Sequence, residues 1–133
     1  AQAIDTVITQ LEADVRQAST IVVMPSADAS GGESGALRLR LSRRVGNELA
    51  RVDWLLADKA LYRQATLASG QQNARLLEGV SRLAWLRYDE QWQSIATEQV
   101  LAQANQQLTL QRGLGLRITV AGQGVEKLFL VGR

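Results

Sequence analysis

The hydrophobic period of this chain changes once, at Leu37, and that change restricts the folds open to it. Before it, "AIDTVITQLEADVRQA" (residues 3–18) places Ile4, Val7, Ile8, Leu11 and Val15 at the i, i+3, i+4, i+7, i+11 spacing that forms one face of an α-helix. Thr6, Gln10, Glu12, Arg16 and Gln17 fall to the other side and turn to water. The pattern predicts a helix over Ile4–Ser19. At 1.5 Å per residue it measures roughly 24 Å, a length that is marginal in water unless the helix docks on something. "IVVMP" then leads into a Ser/Gly/Asp-rich connector that ends near Gly35, and that connector is assigned no chemistry.

From Leu37 the period is two. "LRLRL" sets Leu37, Leu39 and Leu41 against Arg38 and Arg40, the signature of a half-buried antiparallel strand. "ARVDWLL" alternates Ala50, Val52, Trp54 and Leu56 against Arg51 and Asp53, and the turn "ADK" hands it to "ALYRQAT" as a hairpin. "LAWLRY" at 83–88 is a further strand, with a bend or bulge expected at Gly79. The stretch between Trp92 and Leu108 is polar with weak periodicity and reads as a loop or frayed helix. The chain closes with a second hairpin: Leu114, Leu116, Ile118 and Val120, the turn "AGQG", then Val125, Lys127, Phe129 and Val131. The expected fold class is therefore α+β, an N-terminal helix packed across one antiparallel β-sheet of hairpins. Trp54 and Trp85, each alternating with apolar neighbours, are expected in its core.

A length of 133 residues corresponds to one domain burying about two thirds of its unfolded surface. Residues 1–20 make the helical part and 37–131 the sheet region. Apolar residues at 46% and charged ones at 21% belong to a chain that folds. The formal charge of +2 is too small to argue for nucleic acid. No apolar run approaches the roughly 20 residues that span a bilayer.

Histidine and cysteine are both absent. That removes Ser-His and Cys-His pairs, imidazole and thiolate metal ligands, and any evident base for Ser94, so no catalytic residue, metal or cofactor is expected. Arg38, Arg40, Arg43 and Arg44 are read as charges guarding the outward face of an edge strand, with an anion site as the other reading. Asp53 with Asp58, and Asp89 with Glu90, lack third and fourth ligands nearby and are read as turn-flanking acids. "GLG" and "GQG" do not extend to a phosphate-loop pattern. Trp92 is the candidate exposed interface anchor.

The order and spacing of three runs, "ELARVDWLLADKALYRQ", "RLLEGVSRLAWLRYDEQWQ" and "LTLQRGLGLRITVAGQGVEKLFLVGR", resemble the periplasmic part of the minor pseudopilin J (GspJ) family of type II secretion systems. The positions that match are Leu49, Val52, Trp54, Leu56, Leu61 and Arg63; then Leu76, Leu77, Val80, Leu83, Arg87, Tyr88 and Trp92; then Leu114, Leu116, Ile118, Phe129 and Leu130. The resemblance covers most of residues 48–131 and, more loosely, the helix.

It implies a pilin-like fold and a non-enzymatic structural subunit at the tip of a periplasmic pseudopilus. Its partners would be I-, K- and H-type minor pseudopilins, with contact to the secreted protein as a further expectation. It also implies an apolar membrane helix upstream of residue 1, absent from this chain, that anchors the domain at the inner membrane. Ile4, Val7, Ile8, Leu11 and Val15 are then the partner-binding stripe, part of it meeting the subunit's own sheet and part a neighbour's helix. A minor pilin of a type IV pilus or competence system, and an unrelated small periplasmic binding module, remain as alternatives.

Overall fold

The computed structural model describes residues 2–25, 37–88, 91–95, 99–102, 112–120 and 122–131. Helix α1 spans Gln2–Gln17, with Asp5 in its first turn and Arg16 in its last, the placement that suits the helix dipole. It ends without a glycine. The chain passes directly into strand β1, Ala18–Pro25, because Thr20, Ile21, Val22 and Val23 are β-branched, lose side-chain freedom in a helix and pack well on a pleated surface.

β1 opens a meander with β2 (Leu37–Val45), β3 (Glu48–Ala57), β4 (Ala60–Leu67) and β5 (Gly70–Glu78), and β8 (Gln99–Ala102) pairs with the other side of β1. All pairings in this six-stranded sheet are antiparallel. The register puts Ile21 opposite Leu41, Leu39 opposite Trp54 and Trp54 opposite Arg63. By the two-residue alternation of strands, Ile21, Val23, Leu39, Leu41, Val52, Trp54 and Leu61 share one inner face.

β5 and β6 (Val80–Tyr88) are separated by Gly79 alone. Its φ of 75° is a conformation open to glycine and costly for other residues, and there the chain leaves one sheet for the other. A bond from the Val80 N–H to the Lys59 carbonyl, 2.9 Å, holds the bend against the β3–β4 turn. β6 pairs with β7 (Trp92–Ser94) on one side and β9 (Arg112–Val120) on the other, and β9 with β10 (Gln123–Val131), giving a four-stranded antiparallel sheet.

Apolar residues of α1 and both sheets form one continuous core, in which Trp54 and Trp85 are fully buried. The Trp85 indole N–H donates to the Leu37 carbonyl at 3.2 Å, joining the two sheets. α1 lies against β1, β2 and β5 of the first sheet and β10 of the second.

The α+β expectation of a pilin-like helix on one sheet of hairpins is corrected here. The described residues are mostly β, two antiparallel sheets with a single short N-terminal helix. The difference arises at Gly79, expected as a bend or bulge, which redirects the chain into a second sheet. Two local readings change with it. Residues 18–25, taken as helix end and connector, form a strand paired on both sides. Within 92–108, Trp92–Ser94 and Gln99–Ala102 are strands, while 96–98 and 103–108 lie outside the described residues. The β3–β4 and β9–β10 hairpins form where alternation placed them. Asp89 and Glu90, and the side chains of Lys127, Phe129, Leu130 and Val131, lie outside the described residues.

The two residues joining β3 to β4, Asp58 and Lys59, have φ of 52° and 59°, the mirror-image turn that matches the right-handed twist of a hairpin. Each non-glycine residue in that region costs about 1–2 kcal/mol, partly offset for glycine by its larger unfolded-state entropy. Lys59→Gly is expected to raise stability by about 0.5–1 kcal/mol, read as a higher midpoint in thermal unfolding.

Candidate functional site

Leu11 and Val15 lie on the inward side of α1, and Asp14 lies between them, three residues after Leu11 and so on the same stripe. Its side chain is fully buried. A carboxylate there is tolerated only with charged partners, and the inner face of the first sheet supplies them. Arg63 on β4 approaches side-on, Nε to Oδ2 at 2.8 Å and Nη2 to Oδ1 at 2.9 Å. Arg43 on β2 donates from Nη1 to Oδ1 at 2.8 Å, and the Trp54 indole N–H from β3 reaches Oδ2 at 2.8 Å. Arg43 also donates to Gln17, at the end of the helix.

Burial by itself would raise the pKa of Asp14. The Arg63 bonds and charge, followed by the Trp54 and Arg43 bonds, outweigh it and hold the carboxyl below the ordinary aspartate value. Four donors occupy the roughly four lone-pair sites that a carboxylate has. None is left for a metal ion or a substrate, so the group acts as a lock between the helix and three strands.

A second lock occupies the opposite face of the same sheet. Asp53 stands directly across from Arg40, which binds it through Nε at 2.9 Å and Nη2 at 3.0 Å, while Arg38 Nη1 lies 2.6 Å from Oδ2. Burial again works against the charge, and the bonds from Arg40 and then Arg38 prevail, so this pKa is also lowered.

These contacts correct the reading of the arginine cluster. Arg38, Arg40 and Arg43 do not guard an edge, because β2 is an interior strand between β1 and β3. Only Arg44, near the β2–β3 turn, is exposed. Asp53 sits within β3, whereas Asp58 lies exposed in the turn. Sequence reasoning missed Asp14 as a functional residue. The available signal was its place on an apolar stripe whose other members are Leu11 and Val15.

The expected partner-binding stripe divides. Val7, Leu11 and Val15 are buried in the chain's own core. Ile4 and Ile8 are half-buried, Ile8 packed against the edge of that core. Trp92 stands on β7, not in a loop. It is half-buried and paired with Tyr88 across the strands, ring centroids 5.4 Å apart. Its ring lies over Gly113, where a Cβ would collide with Trp92 Cη2 and come within 2.9 Å of Tyr88 Cβ. Part of the Trp92 surface is therefore spent on the second sheet. Among the described residues the large exposed apolar side chains are Val45 and Leu49, beside the β2–β3 turn.

Among the described residues no three acidic side chains gather as metal ligands, and no helix is long and apolar enough to cross a membrane.

The Asp14 lock predicts a pH signature. A lowered folded-state pKa contributes stability that is fully present above the unfolded value of about 3.9 and is lost as pH falls through the folded value. Asp14→Asn is expected to cost about 3–5 kcal/mol near neutral pH. The gap to the parent protein should narrow below about pH 4, as measured by urea denaturation at pH 7 and pH 3. A residual acid slope from Asp53 should remain in the variant. In comparisons with known proteins, no protein-family model matches this chain, and a search of curated proteins finds no similar sequence.

Proposed function

We propose that this domain is a structural subunit, a minor pseudopilin of the J type, that joins neighbouring minor pseudopilins through α1. The observation that carries the reading is the division of the helix. Leu11, Asp14 and Val15 pin its C-terminal half to the domain, while Ile4 and Ile8 keep part of their apolar surface uncovered. A helix docked along Val7, Leu11 and Val15 and apolar on a free flank presents a rigid ridge that a second helix can pack against. The order and spacing of the apolar positions over residues 48–131 support the same assignment. It does not rest on how the sheets are layered.

In this reading the domain works in the periplasm, tethered at the inner membrane through a helix continuous with α1. I-, K- and H-type minor pseudopilins are its partners in the pseudopilus. The buried carboxylates act by keeping the helix in a fixed direction relative to the sheets, and no chemical step is assigned to the domain.

Two measurements test this. The gene upstream of Ala1 should encode a basic leader ending in glycine, then F-T-L-x-E and an apolar run; a gene without them refutes the proposal. Replacing Ile4 and Ile8 together with aspartate should weaken association with the I- and K-type soluble domains by more than about tenfold, or roughly 1.4 kcal/mol. The variant's circular dichroism should stay near native. Association undiminished by the two charges, in analytical ultracentrifugation of the mixed domains, would contradict the helix assignment.

A further inference from the structure

Strand β5 is an edge of the six-stranded sheet, and among the described residues nothing pairs with its outer side. Natural edges are blunted by lysine, proline, inward charge or a bulge. β5 reads "GQQNARLLE", and residues 71–75 are all exposed and carry none of the first three. The register shift against β4 comes only beyond Arg75. Its one cation is tied to its own sheet, since Arg75 lies over the Tyr62 ring at 5.8 Å and binds Glu78 at 3.0 Å.

The backbone direction follows from the turn. Two residues, Ala68 and Ser69, join β4 to β5, and Leu67 stands opposite Gly70. The pair closing a two-residue turn exchanges both of its hydrogen bonds, and such pairs alternate along an antiparallel ladder. Gly70, Gln72 and Ala74 therefore bond to β4, and the amides and carbonyls of Gln71, Asn73 and Arg75 point away from the sheet. Three consecutive outward-facing residues form a template for one more antiparallel strand.

We infer that β5 pairs with β5 of a second copy of this chain across a two-fold axis at Asn73, joining two six-stranded sheets into one. The sequence is complementary to itself in that register. Asn73 meets its own counterpart and its amide can bond across the axis. Gln71 lies opposite Arg75, and Gln72 opposite Ala74. No like charges face each other, whereas a register centred on Arg75 would oppose two guanidinium groups. The 73-centred register also overlaps the whole exposed run 71–75. A two-fold axis makes the contact isologous and closed, so pairing stops at the dimer. α1 packs against β5, but the pairing uses the strand's outward backbone groups and not Ile4 or Ile8, and the inference holds or fails independently of the secretion assignment.

Sedimentation equilibrium of the purified chain tests it. The expected mass rises with concentration to twice 14.5 kDa. Asn73→Pro removes an outward N–H that β4 does not use, and should give a monomer whose thermal midpoint equals the parent's at concentrations low enough for the parent to be monomeric too. Should that variant fail to fold, charge exchange at the same position provides the second test. Asn73→Lys and Asn73→Glu should each be monomeric, since each opposes like charges on the axis, and an equimolar mixture should restore the dimer. A parent chain that stays monomeric to several hundred micromolar overturns the proposal. So does a dimer that survives Asn73→Lys, or a mixture that remains monomeric. Loss of binding to another protein on Asn73→Pro, with a monomeric parent, would assign the edge to a foreign strand and equally overturn self-pairing.

Discussion

The carboxylate of Asp14 brings four separately encoded parts of this chain to one point: the helix, and the three strands that carry Arg43, Trp54 and Arg63. Apolar contact alone would let a short amphipathic helix rotate or slide on a flat sheet, since such contact has no direction. Four hydrogen bonds to two oxygen atoms fix both the rotation and the axial position. The arrangement is asymmetric in energy. An intact buried pair contributes little net stability, but removing one partner leaves a desolvated charge uncompensated. The helix is therefore held in one register, and its uncovered flank, with Ile4 and Ile8, always faces the same way.

The six-stranded sheet bears charge clusters on both faces because alternation puts Asp53 and Trp54 on opposite sides of β3. The inner cluster orients the helix. The outer one neutralises Asp53 in a strand whose neighbour, β2, carries Arg38 and Arg40 on that face. Leu39 and Leu41, alternating with those arginines, enter the core. One alternating run thus serves the hydrophobic interior and the ion pairs together. Arg38 is itself buried within that outer cluster.

The second sheet depends on the bend at Gly79, stabilised by the Val80–Lys59 bond and by Trp85 reaching the Leu37 carbonyl. These contacts tie the β3–β4 turn, the sheet crossing and the start of β2 together. Without the crossing, the apolar faces of β6 and β9 would have no opposing layer. The edges that remain, above all β5, are then defined by which strands the crossing withdrew from the first sheet.

The sequence by itself determined the helix at the N-terminus, the β3–β4 and β9–β10 hairpins and the burial of Trp54 and Trp85. Each of these is encoded by local periodicity or by a turn between two alternating runs. Only the tertiary structure decided that the strands divide into two sheets, that β1 exists as a strand paired on both sides, and that β2 is interior. Strand order depends on pairings between distant segments that share no local signal. The same reason hid the site. Nothing in the sequence joins Asp14 to Arg43, Trp54 and Arg63, because a carboxylate on an apolar stripe identifies a buried ion without identifying its partners. Those lie 29, 40 and 49 residues away, and only the folded sheet brings them within hydrogen-bonding distance.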